Sequence, residues 1–153
     1  MEFAMELRQL LAREQIRDLV TRYNSNGDSG RFEQVMELFT DDAVMQLKDR
    51  VCHGKDEIMT IFAGTKERLR GGATPGYVRH FTATHQIDLV DESNATGRAY
   101  YSVISPTGLD HWGRYLDTYR LVDDEWRFAI RKVTVDGQAS TSVMPNEPEP
   151  EHT

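Results

Sequence analysis

What most constrains this chain is the order of its patterns: three stretches with helical periodicity come first, and four long strand-like stretches follow with very short breaks. Tyr77–Val90, Ala95–Ser105, His111–Val122 and Glu125–Asp136 are broken only by turn-forming residues around Asp91–Asn94, Pro106–Gly108 and Asp123–Asp124. Breaks that short join antiparallel neighbours, because a parallel crossover needs a dozen or more residues. Upstream, Leu7, Leu10 and Leu11, then Ile16, Leu19, Val20 and Tyr23, fall on one helical face. That pattern stops at the turn formers running from Asn24 to Gly30. A second short helix places Phe32, Val35, Met36 and Phe39 on one side, so the first two helices are expected to form an antiparallel hairpin pinched at 24–30. Ala43–Leu47 and Arg50–His53 read as short strands. Gly54 opens a third helix carrying Ile58, Phe62 and Leu69, and Arg70–Gly76 reads as a loop. Helices followed by a meander predict an α+β domain. A curved antiparallel sheet wrapped over three N-terminal helices gives a cone-shaped alpha-beta barrel, whose open mouth suits a small hydrophobic molecule.

The 153 residues fit one domain, taken as 1–136, followed by an extended acidic tail, 137–153, whose last ten or so residues are expected to be disordered. A formal net charge of −7 without a basic block argues against nucleic acid and against anionic membrane surfaces as partners. No run of apolar residues is long enough to span a bilayer. The N-terminal segment has no secretory pattern, and Cys52 is the only cysteine, so a cytoplasmic protein without an internal disulfide is expected.

Two titratable groups stand out. Asp28 sits among the turn formers and His80 near the start of the first long strand. A carboxylate bonded to one imidazole nitrogen fixes the tautomer and leaves the other nitrogen as a base. Tyr23 could donate its hydroxyl to a carbonyl oxygen that gains charge. Such a trio suffices for proton abstraction beside a carbonyl, with no cofactor and no metal. Each residue also has a plainer reading: Asp28 as a cap, His80 as a satisfied strand histidine, Tyr23 as core. Strand parity adds a competitor. Phe81, Ala83, Ile87 and Leu89 alternate with His85 among them, so a regular strand turns His85 inward and His80 outward. A bulge near residues 82–84 would reverse this, and bulges are frequent beside active sites. His85 is therefore the alternative base. On the next strand Ala95, Gly97, Ala99, Tyr101 and Val103 form a narrow face with room for a ligand, and Tyr101 could line it. Arg131 could meet an acidic substrate group or lie on the surface. The histidines show no zinc-site spacing, and no phosphate loop or nucleophile motif is present.

Ile16–Tyr23 with Asp28, Arg31–Val44, Gly54–Ile58, Arg79–Phe81, Gly113–Asp117 and Trp126–Phe128 together resemble the SnoaL-like branch of the nuclear-transport-factor-2-like superfamily over roughly residues 8 to 136. The resemblance implies the cone-shaped fold and a homodimer formed through the outer sheet face. The branch includes scytalone dehydratase, lindane dehydrochlorinase and bile-acid 7α-dehydratase, whose aspartate–histidine pair falls on Asp28 and His80. The bile-acid enzyme's tyrosine falls on Tyr23, and its Ala-Thr-Gly-Arg resembles Ala95–Arg98. Gly27 replaces the tyrosine beside the scytalone dehydratase aspartate, and Tyr100 or Tyr101 replaces its second histidine. The resemblance favours His80 over His85. It implies a cofactor-independent lyase or isomerase acting on a hydrophobic, cyclic, steroid- or polyketide-like substrate. The same fold also hosts non-catalytic binding modules and dioxygenase beta subunits, which stand as the alternatives.

Overall fold

The structure, a computed structural model, describes residues 5–71 and 76–144. Its elements run α1 (Leu7–Asp28), α2 (Phe32–Met36), β1 (Phe39–Gln46), β2 (Val51–His53), α3 (Gly54–Arg70), β3 (Arg79–Leu89), β4 (Asn94–Ser105), β5 (Gly108–Val122) and β6 (Glu125–Gln138). The six strands form one sheet in the order β2-β1-β6-β5-β4-β3. Strands β3 to β6 make the expected antiparallel meander. The sheet is nevertheless mixed and open, because β1 joins β6 in parallel and β2 and β3 remain as edges. A parallel neighbour more than eighty residues away in sequence leaves no local signal, which is why an all-antiparallel sheet was the expectation.

The helices cover one face. Ile16, Leu19, Val20 and Tyr23 of α1, Val35 of α2 and Ile58 of α3 meet Phe39, Tyr115, Tyr119 and Phe128 of the sheet in one core. Leu7, Leu10 and Leu11 continue the sequence stripe but stay exposed, since the first turns of α1 project past the core. A capping box between Glu6 and Gln9 starts α1. The helix then runs through Asn24–Asp28, beyond the predicted stop. Tertiary bonds outweigh local propensity there: the Asn24 amide donates to the Thr82 hydroxyl at 2.8 Å, and Asp28 accepts from His80. The reversal falls at Ser29–Gly30, with Gly30 at φ +75°. Phe39, expected on α2, begins β1 instead.

The bulge anticipated in β3 is present. Ala83 pairs with Tyr100 but Gln86 pairs with Arg98, so β3 holds one extra residue, and Thr84 takes a φ of 55°. Parity flips there: His80 and Thr82 face the helices before it, and His85 and Ile87 pack inward after it. A second bulge lies in β5, where Val103 pairs with His111 and Ile104 with Leu109, leaving Asp110 as the extra residue.

Strand β6 runs two residues past its predicted end, and the chain then folds back. The Ala139 N–H donates to the Asp110 carbonyl, while the Ser142 hydroxyl and the Val143 N–H donate to the Asp110 carboxylate. The tail is thus anchored as far as Met144, and the disorder expected for its last residues lies outside the described residues. No helix among the described residues is long and apolar enough to cross a membrane.

Candidate active site

The inner face of the sheet and the three helices enclose a cavity of about 960 Å³. Its wall takes Tyr23, Asn24, Gly27 and Asp28 from the last turns of α1, Phe62 and Leu69 from α3, His80 from β3, Tyr101 from β4, and His111 and Tyr115 from β5. Running α1 to Asp28 is what brings four of its residues to this wall, spaced as one helical face.

Asp28 and His80, 52 residues apart, meet here. The carboxylate accepts from the His80 backbone N–H at 2.8 Å through Oδ2 and contacts the ring Nδ1 at 2.6 Å through Oδ1. A carboxylate only accepts, so the neutral ring carries its proton on Nδ1 and leaves Nε2 unprotonated. Both side chains are mostly shielded, with 12% of Asp28 and 24% of His80 exposed.

Tyr23 also lines the wall, its ring met edge-on by Phe39, Phe62, Tyr115 and Phe128. Burial pushes its phenol up, so it stays a protonated donor. Tyr101 contributes a ring face, stacked on Tyr115 at 4.6 Å, while its hydroxyl is committed to the Thr134 carbonyl at 2.7 Å. Gly113 permits that bond, since a Cβ there would sit 1.9 Å from the Thr134 carbonyl oxygen. At Gly27 a Cβ would meet the Phe62 ring at 3.4 Å, so an aromatic of α3 packs beside the position where a larger side chain would project.

His85 and Arg131 do not line this cavity; they belong to a separate buried network. The Tyr119 hydroxyl donates to Asp117 at 2.8 Å, so its oxygen accepts from His85 Nε2 at 3.0 Å. Arg131, fully buried rather than on the surface, holds Asp117 through Nε and Nη2, each at 2.9 Å. Its guanidinium lies 4.2, 3.8 and 4.3 Å from the ring centres of Tyr23, Tyr115 and Phe128. Arg131 thus lies in the core, behind the Tyr23 and Tyr115 rings that face the cavity.

The sequence reading missed a second carboxylate–imidazole pair. Asp110, 1% exposed, contacts His111 Nδ1 at 2.7 Å. Burial works to raise the Asp110 pKa, yet the bonds from Ser142, His111 and Val143 together bring it below the usual carboxylate value. Only the adjacency Asp-His hinted at this pair, and the bulge that puts both residues on one side breaks the alternation a reader would follow. Burial lowers the pKa of His111, and likewise that of His85. The unfolded chain therefore binds more protons than the folded one once pH falls below about 6.5. Stability should be fully present above that value and decline as pH drops from it towards the depressed folded pKa values. Urea unfolding at a series of pH values checks this, and a His85→Gln, His111→Gln double variant should show a flatter profile between neutral pH and about pH 5.

Residues 8–132 match the family model described as a SnoaL-like domain. The chain belongs to this family. Similar solved structures share the fold. A candidate scytalone dehydratase from Novosphingobium aromaticivorans DSM 12444 superposes with a TM-score of 0.78 at 20% identity, covering 97% of this chain and 100% of its own. An NTF2-like protein with a cystatin-like fold from N. aromaticivorans gives 0.69 at 23% identity, with 90% and 94% covered. The beta subunit of a candidate aromatic-ring-hydroxylating dioxygenase from N. aromaticivorans DSM 12444 gives 0.66 at 23% identity, with 85% and 92% covered. At these identities the likeness speaks for the fold. A comparison with curated proteins found no significant match.

Proposed function

We propose that this SnoaL-like protein is a cofactor-independent lyase or isomerase that removes a carbon-bound proton from a small, mainly apolar, cyclic substrate. The observation that carries this reading is the Asp28–His80 pair in the wall of a cavity large enough for such a ring system. His80 Nε2 takes the proton next to a carbonyl. The released electron pair moves onto the carbonyl oxygen, which the Tyr23 hydroxyl hydrogen-bonds, and Asp28 stabilises the imidazolium. The enolate then expels a β-hydroxyl group, which leaves as water with the imidazolium's proton, or, in a substrate with a β,γ double bond, the resulting dienolate takes that proton back at its γ-carbon. General acid–base help of about 10²–10⁴-fold and a placed donor of about 10²–10³-fold are adequate for an activated substrate. A panel of cyclic β-hydroxyketones and hydroxysteroids, followed by the absorbance of the conjugated ketone formed, tests it. Turnover by the wild type that His80→Gln abolishes supports the reading, and equal turnover by both overturns it.

The proposed homodimer has a candidate face. Phe81, Tyr100 and Trp112 stand exposed on the outer side of adjacent strands β3, β4 and β5. A patch of this kind marks an interaction site. Sedimentation should give a dimer, and Phe81→Glu with Tyr100→Glu should give monomers of unchanged circular dichroism. The dioxygenase beta-subunit relative supports a second reading, an accessory chain for a larger partner. A chain that purifies alone as an active dimer decides against it.

A further inference from the structure

The cavity has a charge pattern that its apolar interior does not explain. Five cations line it, Lys48, Arg50, Lys66, Arg68 and Arg70, against the carboxylates of Asp28 and Asp49. The chain as a whole carries −7, whereas these lining residues have more cations than carboxylates. They come from two elements on one side of the cavity: Lys48 and Arg50 from the β1–β2 turn, and the other three from the last turns of α3.

Cations in the last turn of α3 offset its helix dipole, which accounts for Arg68 and Arg70 alone. It does not account for Arg50, which bonds the Thr60 hydroxyl, nor for Lys66, 5.8 Å above the Phe32 ring. Arg50, Lys66, Arg68 and Arg70 form no salt bridge among the described residues, although acids outnumber bases in the chain. Arg68 donates to the Thr65 hydroxyl at 3.2 Å. Asp28 is engaged by His80, so among the described residues Asp49 is the only other carboxylate in the cavity lining. A cleft lined by one sign of charge on low-dielectric walls focuses its field and concentrates the opposite charge.

We infer that the cavity carries an anion subsite made by Arg50, Lys66, Arg68 and Arg70, and that its ligand joins an apolar ring body to a carboxylate or phosphate group. The ring lies against Tyr23, Phe62 and Tyr101, and the anionic group stays among the exposed cations, where it remains partly hydrated. The inference rests on the proposed use of this cavity for ligand binding, but it requires no turnover.

Binding is therefore the test, with three probes that share one ring system: neutral 2-acetonaphthone, 2-naphthoate and 2-naphthyl phosphate, titrated by calorimetry. At low salt the phosphate should bind roughly tenfold more tightly than the ketone, with the carboxylate between, as expected for several exposed charge pairs acting together. The preference should collapse in about 1 M NaCl, where the screening length is about 3 Å. A Lys66→Gln, Arg68→Gln, Arg70→Gln variant should bring the three probes within about twofold while leaving the ketone's affinity and the circular dichroism unchanged. Equal binding of all three probes by the wild type overturns the subsite, as does a variant that keeps the full preference. So does a preference that emerges only when residues 145–153 are deleted, because the cations then serve the chain's own Glu147, Glu149 and Glu151. An Asp28→Asn variant that keeps the anion preference separates this inference from the proton-transfer reading. If no probe binds at all, this subsite and the use of the cavity fall together.

Discussion

Asp28→Asn lowers kcat by about 10²–10⁴-fold while the chain keeps its fold. The carboxylate receives two N–H groups from one residue, the backbone N–H and ring Nδ1–H of His80. An asparagine offers one accepting oxygen and one donating nitrogen. If the oxygen keeps the backbone N–H, the amide nitrogen faces Nδ1 and drives the ring proton to Nε2, the nitrogen the reaction needs bare. If the amide flips, the backbone N–H loses its acceptor. The first arrangement costs little stability, about 1 kcal/mol for a weakened hydrogen bond, but it disables the base. Steady-state rates together with urea unfolding check this. A large loss of kcat at nearly unchanged stability agrees with an orienting carboxylate, and rates within threefold of the wild type contradict it.

Asp117→Ala costs about 3–5 kcal/mol of stability, the largest effect expected of any single change considered. The side chains of Arg131 and Asp117 are 0% and 1% exposed, so removing the carboxylate strands a guanidinium in the core. Burial works to lower the Arg131 pKa and Asp117 more than reverses this, so losing the carboxylate leaves the burial penalty on the guanidinium uncompensated. The same change releases the Tyr119 hydroxyl, which donates to Asp117 and accepts from His85. Replacing both ions, Asp117→Leu with Arg131→Met, should recover most of the loss, because an apolar pair of similar volume carries no desolvation cost. Denaturant midpoints of the two single variants and the double variant give the coupling. A single-variant loss below about 1 kcal/mol would show that water reaches the pair.

These two sites differ in how far the sequence revealed them. Periodicity located every helix and the four long strands, because apolar spacing of 3.6 or 2 residues is a local property. Asp28 with His80 was legible through the family resemblance and the anticipated bulge at Thr84. Three features were not legible, for related reasons. The last turn of α1 is built from Asn, Ser, Gly and Asp, whose local preference is for turns, and its helical state depends on bonds to β3. The parallel β1–β6 pairing depends on where the sheet's other strands go. Asp110 joins the site through a bulge and through Ser142 and Val143, in a segment read as tail. Arg131 shows the converse case: a charged residue in a strand suggests surface or ligand, and only the register that sets it opposite Asp117 shows that it is buried in an ion pair.

The central claim is that His80, aligned by Asp28, takes a carbon-bound proton from a molecule held in the cavity. Its most direct measurement is deuterium uptake at the carbon beside the carbonyl of a cyclic ketone incubated in D₂O, followed by NMR. This reads proton removal whether elimination, isomerisation or neither follows. The account predicts exchange accelerated by the wild type and reduced to the uncatalysed rate by His80→Gln, with the ketone still bound. Exchange at the wild-type rate in that variant would contradict it.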